Sequence, residues 1–337
     1  MNTKKLNYKN LLISILILAA VGYIYKKFQL NVDNNTKIEE LNVIKKYLLN
    51  DQTDDAIIKL SANKKPVLWL HIDYAKNSRK WESFGSRNSI ELNQDYLYLT
   101  LINIINKCNN YFHIIIIDDD SFCKLLENNC LDLNKVGEPI KSNLRTLNMM
   151  RLLHTYGGMY IENSFILFRP LSTIYDKVLE SKKMVCGEFK NGSSNSHIAP
   201  VMPATKLIGC VKECKIMKEF INHLEILYSN NYSGDITIQD LVNKWLLQKN
   251  KDGILDIIDG RFLGTKTIAN KIIDLDDLMG STYLELNTKT YGLYIPHDEL
   301  LKRNKYNWFC NLNTKEVLEA NTNASKYLIL TNQMRND

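Results

Sequence analysis

The sequence predicts an α/β fold in which a mainly parallel sheet is flanked by helices, behind an N-terminal membrane-anchor helix. Three observations predict it. Short apolar runs of strand length alternate with stretches whose apolar residues recur at helical spacing. The runs are continuously apolar, as in strands covered on both faces. A charge-free stretch bounded by lysines precedes all of them.

Residues 1–10 form a polar tail. The stretch LLISILILAAVGYIY, Leu11 to Tyr25, carries no charge. As a helix it would span roughly 22 Å, short of a hydrocarbon core of about 30 Å. Tyr8, Tyr23, Tyr25 and Phe28 at the interfaces, with Lys9, Lys26 and Lys27 snorkelling, lengthen the usable segment to residues 11–28. A single-pass anchor is one reading. A cleaved signal peptide is the other, because Ala20-Val21-Gly22 offers small-x-small spacing. The lysines before the segment favour a lumenal or external body. Residues 29–64 read as a stem, with one apolar stripe at Ile38, Leu41, Ile44 and Leu48.

The domain is expected over 65–337. Its first strand is the proline-introduced run from Lys65 to Ile72, containing Trp69. A helix follows over Glu91–Cys108. The run Phe112–Ile117 is the second strand and ends in three aspartates, and Ser121 then opens a short helix. A longer helix over about Asn143–Tyr156 stops at Gly157-Gly158, and a third strand runs from Met159 to Phe168. Met184–Glu188 reads as a strand and Ile216–Tyr228 as a helix. Pattern alone does not order the elements beyond residue 231.

Charge narrows the function classes. The formal net charge is +6, but five lysines and no acidic residue lie within the first 27 residues, so the body is close to neutral. Nucleic-acid partners are not expected of a chain without a basic face. The seven cysteines show no C-x-x-C pair, so a zinc site is not expected either.

In open parallel sheets, ligands bind beyond the carboxyl ends of the strands, so polar residues immediately after strands matter most. Asp118, Asp119 and Asp120 are one such group. Adjacent carboxylates repel one another until a cation, a base or a helix N-terminus relieves them. Capping of the next helix by Asp120 and ligand binding by the group both remain open. The second place is the segment Arg151–Ser164, RLLHTYGGMYIENS. Here a helix ends in a glycine pair and a strand leads at once to a carboxylate.

The piece HTYGGMYIENS resembles the glycosyltransferases with a DXD sugar-binding region, a GT-A-like family that includes capsular-polysaccharide and Golgi-type α-glycosyltransferases. Their hallmark is a helix ending in two glycines, then I-Y-x-D-x-D. The order of the three strands also fits, over about residues 65–225. The resemblance implies a retaining hexosyltransferase that moves a sugar from a nucleotide-diphosphate sugar to a glycan or glycoprotein acceptor. It implies donor binding by Asp118, Asp119, Asp120, Arg151, Gly157, Gly158 and Glu162. It also implies a Mn²⁺ or Mg²⁺ ion near Glu162, Ser164 and His297, and an acceptor-side role for Glu188. The motif is degenerate, since Glu162 and Ser164 stand where the family has two aspartates, and one carboxylate is therefore missing. Arg145 could meet phosphate. The alternative implied by the broken motif is a catalytically inactive protein of the same fold, with a structural or glycan-binding role.

Overall fold

A computed structural model describes residues 44, 46–49, 65–72, 94–126, 132–191, 200–230 and 235–333. The expected anchor over 11–28 lies outside the described residues. Among the described residues, no helix is long and apolar enough to cross a membrane. Tyr47–Asp337 forms one compact unit.

In chain order the first elements are β1 (Val67–His71), α1 (Asp95–Cys108), β2 (His113–Ile117), α2 (Ser121–Leu125), α3 (Ile140–Tyr156), β3 (Gly158–Ile161) and β4 (Phe165–Leu167). After them come α4 (Ser172–Ser181), β5 (Met184–Lys190), β6 (Val201–Cys210), α5 (Lys215–Asn230), α6 (Asp235–Lys251) and β7 (Leu255–Ile258). The chain closes with α7 (Leu275–Met279), β8 (Gly292–Tyr294), α8 (His297–Lys302), α9 (Thr314–Glu319) and α10 (Asn323–Gln333).

Six strands form one sheet in the order β2-β1-β3-β6-β5-β7. β2, β1 and β3 run parallel, β6 is antiparallel to both its neighbours, and β7 is parallel to β5. The mainly parallel sheet expected from the alternation of strands and helices is therefore present, with β6 reversed. Leu48, placed in the stem by the sequence reading, makes a parallel bridge to Ile116 on β2.

Side chains of alternate strand residues point to opposite faces, which explains why the runs are apolar throughout. Val67, Trp69, Ile115 and Ile117 pack on one face in a core cluster that also takes in Leu152 and Leu153 of α3 and Phe220 and Leu224 of α5. Leu68, Leu70, Ile114 and Ile116 are equally buried. Helix α1 packs against β4, α9 and α10.

One sequence expectation is corrected here. The strand expected over Met159–Phe168 is two strands in different sheets. Glu162 makes the last rung of the large sheet, its N–H donating to the Lys206 carbonyl at 2.9 Å. Beyond it β4 pairs with β8, Phe165 opposite Tyr294, and Ile295 N–H donates to the Ser164 carbonyl. The side chain of Asn103 on α1 secures the new strand, accepting from Leu167 N–H and donating to its carbonyl. The polar triplet Glu162-Asn163-Ser164 inside an apolar run was the visible sign of this break.

Candidate functional site

Three adjacent parallel strands deliver a polar residue to the same edge of the sheet. β1 ends at His71, β2 is followed by Asp118 and Asp119, and β3 is followed by Glu162 and Asn163. Asn163 ties two of these ends together, its side-chain amide donating to the His71 carbonyl at 3.2 Å.

Asp118 closes the turn after β2. Its Oδ1 accepts from Ser121 N–H at 2.9 Å and from Ser121 Oγ at 2.6 Å. The capping role expected of Asp120 is thus taken by Asp118, while Asp120 occupies the N-cap position of α2 without a side-chain cap bond. Asp119 is the hub. Arg145 on α3 grips it with two parallel bonds, Nε to Oδ1 and Nη2 to Oδ2, each 2.7 Å. Lys141, one helical turn earlier, reaches Oδ2 at 3.0 Å, and His71 Nε2 lies 3.1 Å from Oδ1. Burial alone would raise the Asp119 carboxyl, but the bonds from His71, Arg145 and Lys141 hold it far below the usual carboxylate range.

At the end of β3 the Tyr294 hydroxyl donates to Glu162 Oε2 at 2.8 Å. Lys206 on β6 donates to the Tyr294 hydroxyl at 2.6 Å, and its Nζ lies 3.8 Å from Glu162 Oε1. Burial pushes the Glu162 carboxyl up, Lys206 opposes this, and the neighbouring charge of Asp298 adds to the rise. Burial raises the hydroxyls of Tyr96, Tyr160 and Tyr294, and the Asp298 charge adds to the rise in each.

The implied cation has poor terms here. Ser164 is fully buried, and its Oγ has no hydrogen-bond partner among the described residues. His297 presents Nδ1 to the Tyr96 hydroxyl at 2.6 Å. A divalent ion about 2.1 Å from Glu162 Oε1 would lie no more than about 6 Å from the Lys206 ammonium. At an effective dielectric of about 20, that proximity costs more than about 5 kcal/mol in repulsion. Among the described residues no group of three or more His, Cys, Asp or Glu side chains converges in a way that could hold a metal ion. The trio Glu162, Ser164 and His297 does not fit one.

Other expected site residues lie elsewhere. Arg151 turns to α5, where Nη2 meets Glu225 Oε1 at 2.7 Å. Gly157 and Gly158 sit at the amino end of β3, opposite the edge that carries Glu162. Their φ values are +74° and +100°, and a Cβ on Gly158 would lie 2.1 Å from the Val67 carbonyl oxygen. Packing of β1 on β3 accounts for Gly158, and the Lys212 backbone, whose nitrogen a Cβ on Gly157 would approach to 2.7 Å, accounts for Gly157. Glu188 on β5 accepts from Lys266 Nζ at 2.6 Å and from Gly260 N–H at 2.9 Å, and so braces the loop after β7.

Five residues of the cluster escaped the sequence reading, Lys141 in the first turn of α3 among them. Lys206 left one signal, a lysine within the apolar strand PATKLIG, and His71 another, a polar residue closing the Trp69 strand. Tyr294 and Asp298 lie in the region whose elements pattern could not order. A separate cavity of about 600 Å³ is lined by Lys177, Lys183, Asp256, Asp259, Lys289 and Tyr291, none of which belongs to the strand-end cluster.

No family model and no curated sequence matches the chain. Among solved structures it is similar to the glycosyltransferase GlyE of Streptococcus pneumoniae TIGR4, with a TM-score of 0.32 and 11% identity, over 59% of this chain and 46% of that one. It is also similar to the PaToxG glycosyltransferase, with a TM-score of 0.31 and 12% identity, over 64% of this chain and 80% of that one. The chain thus spans less than half the length of the GlyE structure.

Proposed function

We propose that the protein is a glycosyltransferase-like protein that takes a nucleotide-diphosphate sugar at the carboxyl ends of β2, β1 and β3 and serves a glycan or glycoprotein acceptor. The observation that carries this reading is the convergence of His71, Asp119 and Glu162, with the cations Lys141, Arg145 and Lys206, at the edge where open parallel sheets bind ligands. Arginine and lysine held in place by carboxylates suit a diphosphate, because their donors are oriented before the ligand arrives. The HTYGGMYIENS resemblance supplies the ligand class. With the segment 11–28 as anchor, the body would work at a membrane.

A second reading is favoured by the state of the two carboxylates. Asp119 is taken up by three partners and Glu162 by two, which suits a protein that holds a donor or glycan without transferring it.

Titrating UDP and GDP sugars onto the protein by calorimetry, with Mn²⁺ and with EDTA, tests the reading. Saturable binding is expected in both conditions. Release of free sugar or its transfer assigns the active form, and binding without either assigns the silent one. Failure of every UDP and GDP sugar to bind would remove the nucleotide-sugar reading.

A further inference from the structure

We propose that Lys206 is a built-in cation at the end of β3, so that the strand-end site works without a divalent metal. The geometry is the argument. Glu162 N–H donates to the Lys206 carbonyl, so backbone pairing sets the two residues side by side on neighbouring strands. The Lys206 ammonium then stands 3.8 Å from one carboxylate oxygen, while Tyr294 bridges it to the other through bonds of 2.6 and 2.8 Å. Both side chains keep 26% of their surface exposed, so this charge pair reaches solvent and is not sealed in the core. The position that would supply a second carboxylate is the sealed Ser164.

A lysine differs from a divalent ion in what it can do. It is a point charge with three donors, and it can meet a phosphate oxygen without needing several carboxylates to neutralise it. It also repels an incoming metal. The consequence is a site whose single positive charge at Glu162 is encoded in the chain and does not depend on metal supply. The inference rests on the nucleotide-sugar reading only for the ligand that this charge would meet.

The test uses Mn²⁺ alone on the full chain, followed by electron paramagnetic resonance, with no nucleotide present. Its outcome is therefore separate from that of the sugar titrations. The parent is expected to show no saturable Mn²⁺ site dependent on Glu162. Lys206→Met removes the ammonium and leaves the Glu162 carboxylate with the negative charge of Asp298 still acting on it, so Mn²⁺ affinity should tighten at least about tenfold. Adding Glu162→Gln to that variant should abolish the gain. Lys206→Gln is the second variant and should behave as Lys206→Met does, each checked for native circular dichroism. One Mn²⁺ bound by the parent and lost in Glu162→Gln would overturn the proposal. So would Lys206 variants that fold and bind no more Mn²⁺ than the parent.

Discussion

At the scale of single residues, Glu162 and Ser164 show how one motif splits into two environments. Glu162 keeps part of its surface open and meets a phenol and an ammonium, whereas Ser164, two residues on, is sealed. Read from sequence, Ser164→Asp looks like a repair that restores a metal-binding pair. The structure predicts the opposite outcome. An aspartate there would bury a carboxylate at a position that is 0% exposed and whose side-chain oxygen meets no hydrogen-bond partner among the described residues, which costs about 3 kcal/mol or more. Urea denaturation should show a lowered midpoint for Ser164→Asp, and a midpoint equal to the parent's would mean that the side chain reaches solvent. That a carboxylate follows closely on an apolar run was legible in the sequence, but the strand end at Glu162 was not, because the run was expected to continue to Phe168. Nor was the partner Lys206, since its place beside Glu162 depends on an antiparallel pairing that no local pattern announces.

Between residues and molecule lie the elements, and Asp119 joins three of them. It links the end of β1 through His71, the turn after β2 through its own backbone, and the first half of α3 through Lys141 and Arg145. These side chains are between 12% and 21% exposed, so solvent screens the pairs only partly. Asp119→Asn removes the carboxylate that Lys141 and Arg145 share, Glu138 remaining 3.8 Å from Arg145, and should destabilise the protein by about 3 kcal/mol. The sign of the pH dependence follows from the depressed carboxyl. A carboxylate whose folded value lies below the ordinary 3.8 contributes stability at higher pH and loses it as pH falls through and below that value. The parent should therefore lose more stability than Asp119→Asn between about pH 5 and about pH 3, as thermal denaturation across that range would measure. Equal losses in both would remove Asp119 as the acid-sensitive link. The aspartate cluster itself was visible after the isoleucine run, but which of the three carboxylates caps and which gathers cations is decided by α3, a distant stretch of chain.

On the scale of the whole molecule, the alternation of apolar runs and helices was enough to predict the parallel strands β1, β2 and β3, because each buried run is bounded by its own turn residues. The reversed β6, the partner strand β8 and the segment carrying Asp298 were not legible. β8 and the Asp298 segment come from a region of short elements whose neighbours are far away in sequence, as Phe165 opposite Tyr294 illustrates, while β6 is a long strand that inserts between β5 and the distant β3. The glycine pair was legible as a helix stop, yet it answers to the close approach of the Lys212 backbone to Gly157 and of the Val67 carbonyl to Gly158, at the opposite end of β3 from Glu162. The central claim is that the ligand crevice lies at the carboxyl ends of β2, β1 and β3. Amide hydrogen exchange with and without UDP and GDP sugars tests it most directly. The account predicts slowed exchange over 117–121 and 161–164 and at Lys206. Slowed exchange confined to the cavity between Lys177, Asp256 and Lys289, with the strand ends unchanged, would contradict it.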